Sequence, residues 1–324
     1  MKAAVVTRAG GPEVMEIRNL PDLSPSAGQV VIQVAAAGLN RGDIVQREGS
    51  QAGYAASPIL GYEVSGVVRE VGTGVTEVKV GDEVIALVAG GGYAQQVAVP
   101  ALQVVPLPDG VDLVTAAGII EVAATVYSNL FMTAHLSAGE TVLIHGASGG
   151  IGTMAIQLAK ALGARVAVTA GSAEKLKVAA GLGAEILINY RDQDFVAEAI
   201  SATDGRGVDV ILDVVGGAYL AKNIAALGED GRLVVIGMQG GTTAELNLAE
   251  LAAKRASVTG AFLRSRSPEQ KGAILRELRE RVWPLITAGE VRILVDRTFA
   301  LEDIVAAHEY FDSGDHIGKV LLTM

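Results

Sequence analysis

Six short apolar runs alternate with helix-like segments between residues 140 and 263, and this alternation limits the fold more than any other feature of the chain. The runs are ETVLIHG, ARVAVTAG, AEILINY, VDVILDVVG, GRLVVIGM and ASVTGAFL, and most are connected by segments such as GTMAIQLAKALG. Near-continuous apolar strands that alternate with helices are typical of a parallel sheet covered on both faces. Six of them predict a doubly wound α/β domain.

The first run leads directly into a glycine-rich loop, GASGGIG, which spans Gly146 to Gly152. Glycines let the backbone pass close to a pyrophosphate, and the N–H groups of the following helical turn favour an anion. A strand before the loop, a helix after it and a second strand about 20 residues on are the context that such a motif requires. No Gly-Lys-Ser or Gly-Lys-Thr follows, so the loop is not a P-loop. We predict a dinucleotide ligand, and a tight turn without a ligand is the alternative.

The end of the second strand indicates which dinucleotide binds. NAD sites usually place an Asp or Glu there, which binds the ribose 2′-hydroxyl. Here the tip reads Ala170-Gly171-Ser172, Lys175 follows one turn into the next helix, and the helix can point Glu174 outward. A missing carboxylate and a nearby ammonium match a 2′-phosphate, which predicts NADPH. The alternative is that Ser172 is only a helix cap and Lys175 only a surface residue.

The chain up to about residue 110 has a different rhythm, with short valine- and isoleucine-rich runs separated by Gly and Pro. This pattern predicts an antiparallel, barrel-like β domain. After the α/β region come a charged helix, a strand, a second helix and a last strand. A chain that ends in this way often returns to pair with its first domain.

Composition excludes several classes of function. The net charge is −10 and no basic run occurs, which disfavours a nucleic-acid partner. There is no cysteine, which excludes disulfides, thiolate zinc sites and cysteine nucleophiles. We find no apolar run of roughly 18–20 residues and expect no membrane-spanning segment. These features favour a cytoplasmic enzyme.

The order of the motifs resembles one known family along the whole chain. The resemblance is carried by LNRGDIVQREG, ILGYEVSGVV, GASGGIG, AVTAGS, INY, ILDVVGG, GAFLRSR and AHEYFDSGDHIGKVLL. These motifs resemble the zinc-free quinone oxidoreductase branch of the medium-chain dehydrogenase/reductase superfamily, and within it the p53-inducible quinone oxidoreductase homologues. The resemblance implies an α/β fold class, with a Rossmann doubly wound parallel sheet plus a GroES-like β-barrel catalytic domain and a cofactor in the cleft between them.

The same resemblance implies a domain organisation. Residues 1–119 would form the GroES-like catalytic domain, residues 120–289 the Rossmann NADPH-binding domain, and residues 290–324 a segment that returns to the catalytic domain. It also suggests a homodimer joined through the edges of the Rossmann sheets.

The sequence departs from the zinc alcohol dehydrogenases of the same superfamily. Those enzymes have a Cys near Asn40, a His at the position of Tyr62 and a four-Cys lobe near Tyr93, and this chain has none of them. Its four histidines form no ligand spacing, so we expect no metal site. Alcohol oxidation without zinc loses the metal that lowers the pKa of the bound oxygen. Hydride delivery to a quinone or an activated double bond requires mainly that nicotinamide C4 is held against the acceptor.

The resemblance assigns three residues to catalysis: Asn40, Asp43 and Tyr54. Asn40 would hydrogen-bond the cofactor or the substrate carbonyl, and Asp43 would orient its loop. Tyr54 would stack on a quinone or donate a proton, although an ordinary loop tyrosine is the alternative. We interpret Tyr62 as packing that fills the vacated zinc site.

The cofactor-binding set implied by the resemblance lies mostly after the predicted strands. Thr125 would bond the carboxamide, and Lys319 would reach the cofactor from the last strand unless it is only a strand-edge lysine. The remaining members would contact the pyrophosphate, the adenosine phosphate and the nicotinamide ribose: Asn40, Ser148, Gly149, Gly150, Ile151, Gly171, Ser172, Lys175, Tyr190, Val215, Met238, Phe262 and Leu263.

Three histidines receive a structural interpretation. We predict that His145, directly before the glycine loop, is buried and hydrogen-bonded. His308 and His316 lie in the tail, where we expect them to be exposed.

The predicted function is zinc-independent reduction of quinones by NADPH. One alternative is an enoyl or alkenal reductase on the same scaffold, which would differ only in its acceptor. Another is an NADPH-binding sensor with little turnover. In each case the expected partners are small molecules and a second copy of the chain, without nucleic acid or membrane.

Overall fold

The computed structural model describes residues 1–49 and 57–324. Tyr54, which the sequence analysis assigns to catalysis, lies outside the described residues. In the described part of the chain the strands are β1 (Lys2–Val6), β2 (Met15–Asn19), β3 (Gln29–Gly38), β4 (Glu63–Val71), β5 (Glu83–Leu87), β6 (Gln96–Pro100), β7 (Val104–Pro106), β8 (Thr141–His145), β9 (Arg165–Ala170), β10 (Ile186–Asn189), β11 (Val208–Asp213), β12 (Leu227–Val235), β13 (Ser257–Gly260), β14 (Val295–Ala300) and β15 (Lys319–Thr323).

The α-helices of the same part of the chain are α1 (Arg41–Arg47), α2 (Leu113–Ala116), α3 (Ile120–Tyr127), α4 (Gly150–Ala161), α5 (Ala173–Leu182), α6 (Phe195–Ala202), α7 (Leu220–Ala226), α8 (Leu248–Ala253), α9 (Pro268–Arg281), α10 (Trp283–Thr287) and α11 (Ile304–Ser313). A π-helical segment, Ser128–Thr133, continues α3. Outside residues 50–56, the chain has four short 3-10 helices: Pro12–Val14, Ala101–Gln103, Gly217–Tyr219 and Leu301–Asp303.

The chain folds into two compact units. The mixed-sheet unit consists of Met1–Val122, Arg266–Ala288 and Ile293–Met324. The parallel-sheet unit consists of Ala123–Ser265 and Gly289–Arg292.

The parallel-sheet unit is built on six parallel strands in the order β10-β9-β8-β11-β12-β13. Numbered by appearance along the chain, this order is 3-2-1-4-5-6, the doubly wound arrangement of dinucleotide-binding folds. All five residues of β8 are buried, as are all but one each in β9 and β11. Burial on both faces explains why these strands have continuous apolar sequences rather than alternating ones. The six strands predicted from the sequence are confirmed.

The mixed-sheet unit contains a seven-stranded sheet in the order β14-β15-β3-β4-β5-β7, with β6 also paired to β3. The long strand β3 therefore pairs antiparallel with β4, β6 and β15. The pairing with β15 brings the end of the chain beside its beginning, with Leu321 opposite Gly38. The prediction of a GroES-like β domain and a Rossmann sheet is confirmed.

One helical run corrects an expectation from the sequence. Leu113–Thr133 is long and apolar enough to cross a membrane by length and composition alone, with a mean hydropathy of 1.4. However, 78% of its most apolar window is buried inside the protein. Because a core helix of a water-soluble protein passes the same test, the run is explained by core packing.

Candidate functional site

The loops that carry the predicted cofactor residues meet at one edge of the parallel sheet. The glycine loop follows β8, Gly171 follows β9, Tyr190 follows β10, Val215 lies two residues after β11 and Met238 three residues after β12. Since all these strands are parallel, their carboxyl ends share the edge where open α/β sheets bind ligands. Phe262 and Leu263 follow β13 at the same edge, with Phe262 40% exposed and Leu263 buried.

The glycine loop has a geometry that side chains would disrupt. Gly146 has a φ of 78°, in the left-handed region that favours glycine. A Cβ on Gly152 would lie 2.2 Å from the carbonyl oxygen of Gly146, so the loop and the first turn of α4 are in backbone contact. In contrast, a Cβ on Gly149 would meet nothing within 4 Å. Gly149 is the N-cap of α4, and the partly exposed Ser148, Gly149, Gly150 and Ile151 therefore present backbone to the sheet edge.

The turn between β9 and α5 is surrounded by polar groups. Ser172 caps α5 by accepting a hydrogen bond from the Lys175 backbone N–H at 3.3 Å. A Cβ on Gly171 would lie 2.6 Å from the Tyr190 hydroxyl oxygen and 3.2 Å from Nε of Arg191. The side chains of Tyr190 and Arg191, which follow β10, thus lie directly over Gly171. Lys175 is in the first turn of α5. Ser172 does act as the helix cap that the alternative interpretation required, but its hydroxyl hydrogen can still donate.

An aspartate fixes the loop after β11. Asp213 is fully buried, and its two carboxylate oxygens accept hydrogen bonds from the N–H groups of Val215 at 2.7 Å and Gly216 at 3.0 Å. Burial raises the pKa of this carboxyl, and the two N–H donors oppose that shift. Gly216 has a φ of 78°, and a Cβ there would lie 3.0 Å from Cα of Met238. Asp213 therefore holds Val215 in place against the loop that carries Met238.

Thr125 lies on α3 and is buried. Its carbonyl oxygen accepts a hydrogen bond from Nδ2 of Asn129 at 2.7 Å, at the point where α3 becomes π-helical. π-Helical turns frequently occur at functional sites.

In the mixed-sheet unit, Asn40 and Asp43 are joined at the start of α1. Asn40 is the N-cap, and its backbone N–H donates to Oδ2 of Asp43 at 2.9 Å. Asp43 Oδ1 accepts a second bond from the Gly61 N–H at 2.8 Å, and Oδ2 accepts another from the Tyr93 hydroxyl at 2.8 Å. Burial raises the pKa of Asp43 to about 6, against these donors and the nearby charge of Lys319. Asp43 is fully buried and ties α1 to the loop before β4.

Lys319 and Glu63 form a buried ion pair beside Asn40. The Lys319 ammonium lies 2.7 Å from Oε1 of Glu63, and the two side chains are 4% and 0% exposed. Lys319 also donates to the Leu39 carbonyl and to Oδ1 of Asn40, both at 2.8 Å. Nδ2 of Asn40 donates in turn to Oε1 of Glu63 at 3.0 Å. Lys319 is therefore part of a closed polar cluster.

The donor set at this cluster does not match zinc. Zinc prefers thiolate and imidazole ligands, and Asn40 and Tyr62 offer an amide and a phenol instead. The Tyr62 hydroxyl donates to Oε1 of Gln46 at 2.7 Å. The oxygens of Leu39, Asn40 and Glu63 that could bind a metal ion already bind the Lys319 ammonium. Among the described residues, no group of three or more His, Cys, Asp or Glu side chains is placed to hold a metal ion.

The predicted burial of His145 is confirmed, and the predicted exposure of His308 is not. His145 is buried, with Nδ1 2.9 Å from Oγ1 of Thr169 and Nε2 2.8 Å from Oδ1 of Asn223. The expected exposure of His308 is wrong: it is fully buried on α11, with Nδ1 2.9 Å from Nη1 of Arg47. The apolar face of α11 packs on the core of the unit and takes His308 inward. His316 is half-buried.

Four residues of these clusters were missed from the sequence: Glu63, Tyr93, Arg191 and Asp213. Two of them carried a signal. Glu63 is the first residue of β4 and Asp213 is the last residue of β11, each next to a mainly apolar run, and a charged side chain is rarely buried there unless it is paired. Tyr93 and Arg191 carried none.

Two protein-family models match the chain. The model of the alcohol dehydrogenase GroES-like domain matches residues 26–109, and the model described as zinc-binding dehydrogenase matches residues 150–279. Human quinone oxidoreductase is 36% identical over 204 residues, which are 60% of this chain and 60% of that protein. The chain thus spans less than two thirds of the length of this curated relative.

Solved structures match over the whole chain. The crystal structure of Escherichia coli quinone oxidoreductase complexed with NADPH has a TM-score of 0.90 and 30% identity, and the match covers 100% of both chains. The apo form of the JamJ enoyl reductase has a TM-score of 0.89 and 29% identity, covering 100% of this chain and 99% of that one.

Proposed function

Since this chain belongs to the medium-chain dehydrogenase/reductase superfamily, we propose that it catalyses the zinc-independent reduction of quinones by NADPH. The observation that carries the proposal is the polar turn around Gly171, which lies at the same sheet edge as the glycine loop and offers donors and cations at a strand tip without a carboxylate. The solved E. coli quinone oxidoreductase that the chain resembles holds NADPH.

The parallel-sheet unit fits NADPH on structural grounds. The glycine loop leaves room for the pyrophosphate over Gly149, where an added Cβ would meet open space. Ser172, Lys175 and Tyr190 would hold the adenosine phosphates, with charge-assisted bonds from Lys175 to the 2′-phosphate. When bound, NADPH supplies a hydride from nicotinamide C4.

The nicotinamide end is assigned to the residues that follow the later strands. Val215, Met238, Phe262 and Leu263 would line the ribose and ring, and Thr125 would bond the carboxamide. This assignment is supported by the hydrogen bonds that the N–H groups of Val215 and Gly216 donate to Asp213. Because these bonds already fix the loop, a ligand that binds there loses less free energy to ordering it.

Zinc independence rests on residue chemistry. The range matched by the zinc-binding dehydrogenase model contains no cysteine and no histidine. A quinone is already electrophilic, so a metal is not needed to activate it, and the protein has mainly to orient the acceptor and exclude water. After hydride addition, the quinone needs one proton, for which Tyr54 is the proposed side-chain source. Asn40 and Asp43 would shape the substrate end from α1.

An enoyl or alkenal reductase is the second candidate, and the likeness to the JamJ enoyl reductase favours it. The hydride would then add to the carbon β to the carbonyl, and the proton to the α carbon. The cofactor residues would be unchanged, and only the acceptor loop would differ.

The deciding experiment is oxidation of NADPH and NADH by the purified protein with a panel of quinones and enones. Quinone-dependent loss of NADPH absorbance, with NADH much poorer and no loss of rate after chelator treatment, supports the proposal. Turnover with enones alone favours the second candidate. Tight NADPH binding with no turnover on any acceptor would overturn both and favour a sensor.

We also propose a homodimer joined through β13. Among the described residues this edge strand pairs only with β12, and all four of its residues are exposed. Leu248 on α8, the helix that precedes β13 in the chain, is 69% exposed. An open strand edge favours pairing with a second copy, because its backbone N–H and C=O groups lack partners. The mass from sedimentation equilibrium tests this, and Val258→Lys should yield monomers.

The predicted domain boundaries, 1–119, 120–289 and 290–324, remain a proposal. Pairing of β15 with β3 supports the return of the final segment to the catalytic domain. We further propose a cytoplasmic location, which suits a chain without disulfides.

A further inference from the structure

We propose that the buried Lys319–Glu63 pair fixes the amide of Asn40 so that it offers only its oxygen, as a hydrogen-bond acceptor, to an N–H or O–H group of the bound ligand. Glu63 and Lys319 are then positioning residues that act through Asn40. This inference rests on the proposed function, because it assigns a role to Asn40 at the same site.

The orientation of the amide follows from its neighbours. Oδ1 of Asn40 faces Lys319, which can only donate, and Nδ2 faces the Glu63 carboxylate, which can only accept. The second hydrogen of Nδ2 goes to the Gly38 carbonyl at 3.2 Å. Rotating the amide by half a turn would set a donor against a donor and an acceptor against an acceptor. Both Nδ2 hydrogens are therefore used, whereas Oδ1 keeps one lone pair.

The ion pair cannot move away from Asn40. Oε2 of Glu63 accepts a further bond from the Glu121 N–H at 2.9 Å. A Cβ on Gly38 would lie 2.3 Å from Oε1 of Glu63, and a Cβ on Gly118 would lie 3.1 Å from Cγ of Lys319. Two glycines thus leave the space that both side chains fill. The three hydrogens of the Lys319 ammonium are matched by Leu39, Asn40 and Glu63.

The solvent exposure of the three side chains indicates which of them can contact a ligand. Lys319 and Glu63 are 4% and 0% exposed, whereas Asn40 is half-buried. A ligand that approaches this cluster therefore meets the amide and not the ion pair. The sequence left two roles open for Asn40, toward the cofactor or toward a substrate carbonyl. A carbonyl needs a donor, so the geometry points to the cofactor, whose carboxamide N–H and ribose O–H groups are donors.

A double-mutant cycle tests the arrangement. Asn40→Leu removes the amide at a similar side-chain volume, and Glu63→Gln takes the counter-charge from Lys319. We expect each single variant to weaken NADPH and to reduce kcat/KM by about tenfold or more. In the double variant N40L/E63Q there is no amide left to orient, so NADPH affinity and kcat/KM should be no lower than in Asn40→Leu alone. Glu63→Gln should lower the melting temperature of the cofactor-free protein, because it leaves a buried ammonium without its counter-charge.

Additive losses of NADPH affinity in the double variant would overturn the positioning role of Glu63, because they would show that Glu63 acts without Asn40. An unchanged melting temperature in Glu63→Gln would overturn the buried ion pair. Both the melting temperature and the NADPH Kd from fluorescence titration are measured without an acceptor, so they test the inference even if the wild-type protein reduces no quinone.

Two further arms complete the design. Glu140→Gln, which breaks the ion pair with Arg232 in the other unit, is the matched control and should lower the melting temperature without changing kcat/KM.

The reduced 3-acetylpyridine analogue of NADPH lacks the carboxamide N–H groups. If Asn40 accepts from the carboxamide, Asn40→Ala weakens NADPH but not the analogue; if it accepts from the ribose, the variant weakens both equally. No effect on either ligand would overturn the acceptor role.

Discussion

The hydroxyl of Tyr93 donates a hydrogen bond to Oδ2 of Asp43 over 2.8 Å, and both side chains are completely buried. The two residues are 50 positions apart in the sequence. Their contact ties the start of α1 to the loop that follows β5, and it makes the ionisation of a buried carboxyl part of the stability of the mixed-sheet unit.

This contact predicts a pH-dependent effect of Tyr93→Phe. The raised pKa of Asp43, about 6, means that the native protein binds more protons than the unfolded chain between about pH 4 and pH 6, so this group's contribution to stability falls as pH rises through that window. At about pH 8 the Asp43 carboxyl is charged, and losing the bond from Tyr93 should lower the free energy of unfolding by roughly 1.5–3 kcal/mol. At about pH 5 the carboxyl is largely neutral, and we expect a smaller loss. Urea unfolding at both pH values measures it.

Tyr62→Phe is the control for that prediction, because the Tyr62 hydroxyl donates to the neutral amide of Gln46. Its cost should be the same at both pH values. An equal cost of Tyr93→Phe at both values would contradict the raised pKa of Asp43.

The glycine loop predicts a sharp difference between two neighbouring glycines. Gly152→Ala would place a Cβ 2.2 Å from the Gly146 carbonyl oxygen and should lower the free energy of unfolding by about 1–3 kcal/mol or more. Gly149→Ala meets open space and should cost less than about 1 kcal/mol. Thermal unfolding without cofactor makes the comparison, and equal losses would show that the close approach between loop and helix is not maintained in solution.

The phosphate turn predicts a specific loss of affinity. Lys175→Gln should weaken the binding of adenosine 2′,5′-bisphosphate about tenfold or more by calorimetry while leaving adenosine 5′-monophosphate unchanged, because only the former carries a 2′-phosphate. Lys177→Gln, on the exposed side of α5, is the matched control and should change neither.

Arg191→Gln extends that test to the residue that the sequence did not indicate. Its Nε lies near Gly171, so we expect a further loss for adenosine 2′,5′-bisphosphate in the double variant. Equal weakening of both nucleotides would place these side chains away from the 2′-phosphate.

His145 predicts acid sensitivity of the parallel-sheet unit. Burial lowers the pKa of His145 to about 4, from an ordinary value of 6.5, although Asn223 favours the charged form. The unfolded chain therefore binds more protons between these values, and stability falls by about 3 kcal/mol as the pH drops through the window. His145→Gln should flatten the slope of unfolding free energy against pH there. His308 has a pKa lowered to about 3 by burial and Arg47, so part of the slope should remain.

Local patterns were sufficient for the parallel sheet. Each of its six strands is a short apolar run between turn residues, and the glycine loop marks which strand comes first. The alternation of strand and helix therefore predicted the topology, because right-handed crossovers leave few ways to connect such strands.

The polar clusters could not be predicted in the same way. Glu63 and Lys319 are 256 positions apart, and no periodicity links a glutamate at a strand start to a lysine in the last strand. The exposure of His308 was misjudged for a related reason: its neighbours in the sequence are polar, while its burial depends on Arg47, which α1 supplies from 261 positions away.

The pairing of β15 with β3 has a consequence for synthesis of the chain on the ribosome. The parallel-sheet unit is almost continuous in sequence and can fold once residue 265 has emerged. The mixed-sheet unit cannot, because residues 36 to 38 of β3 lack their β15 neighbour and Glu63 lacks its cation until residues 319 to 323 are made. Of the two units, the one whose residues begin earlier is thus completed later, and a nascent chain carries an open strand edge and an uncompensated acid until residue 323 has emerged.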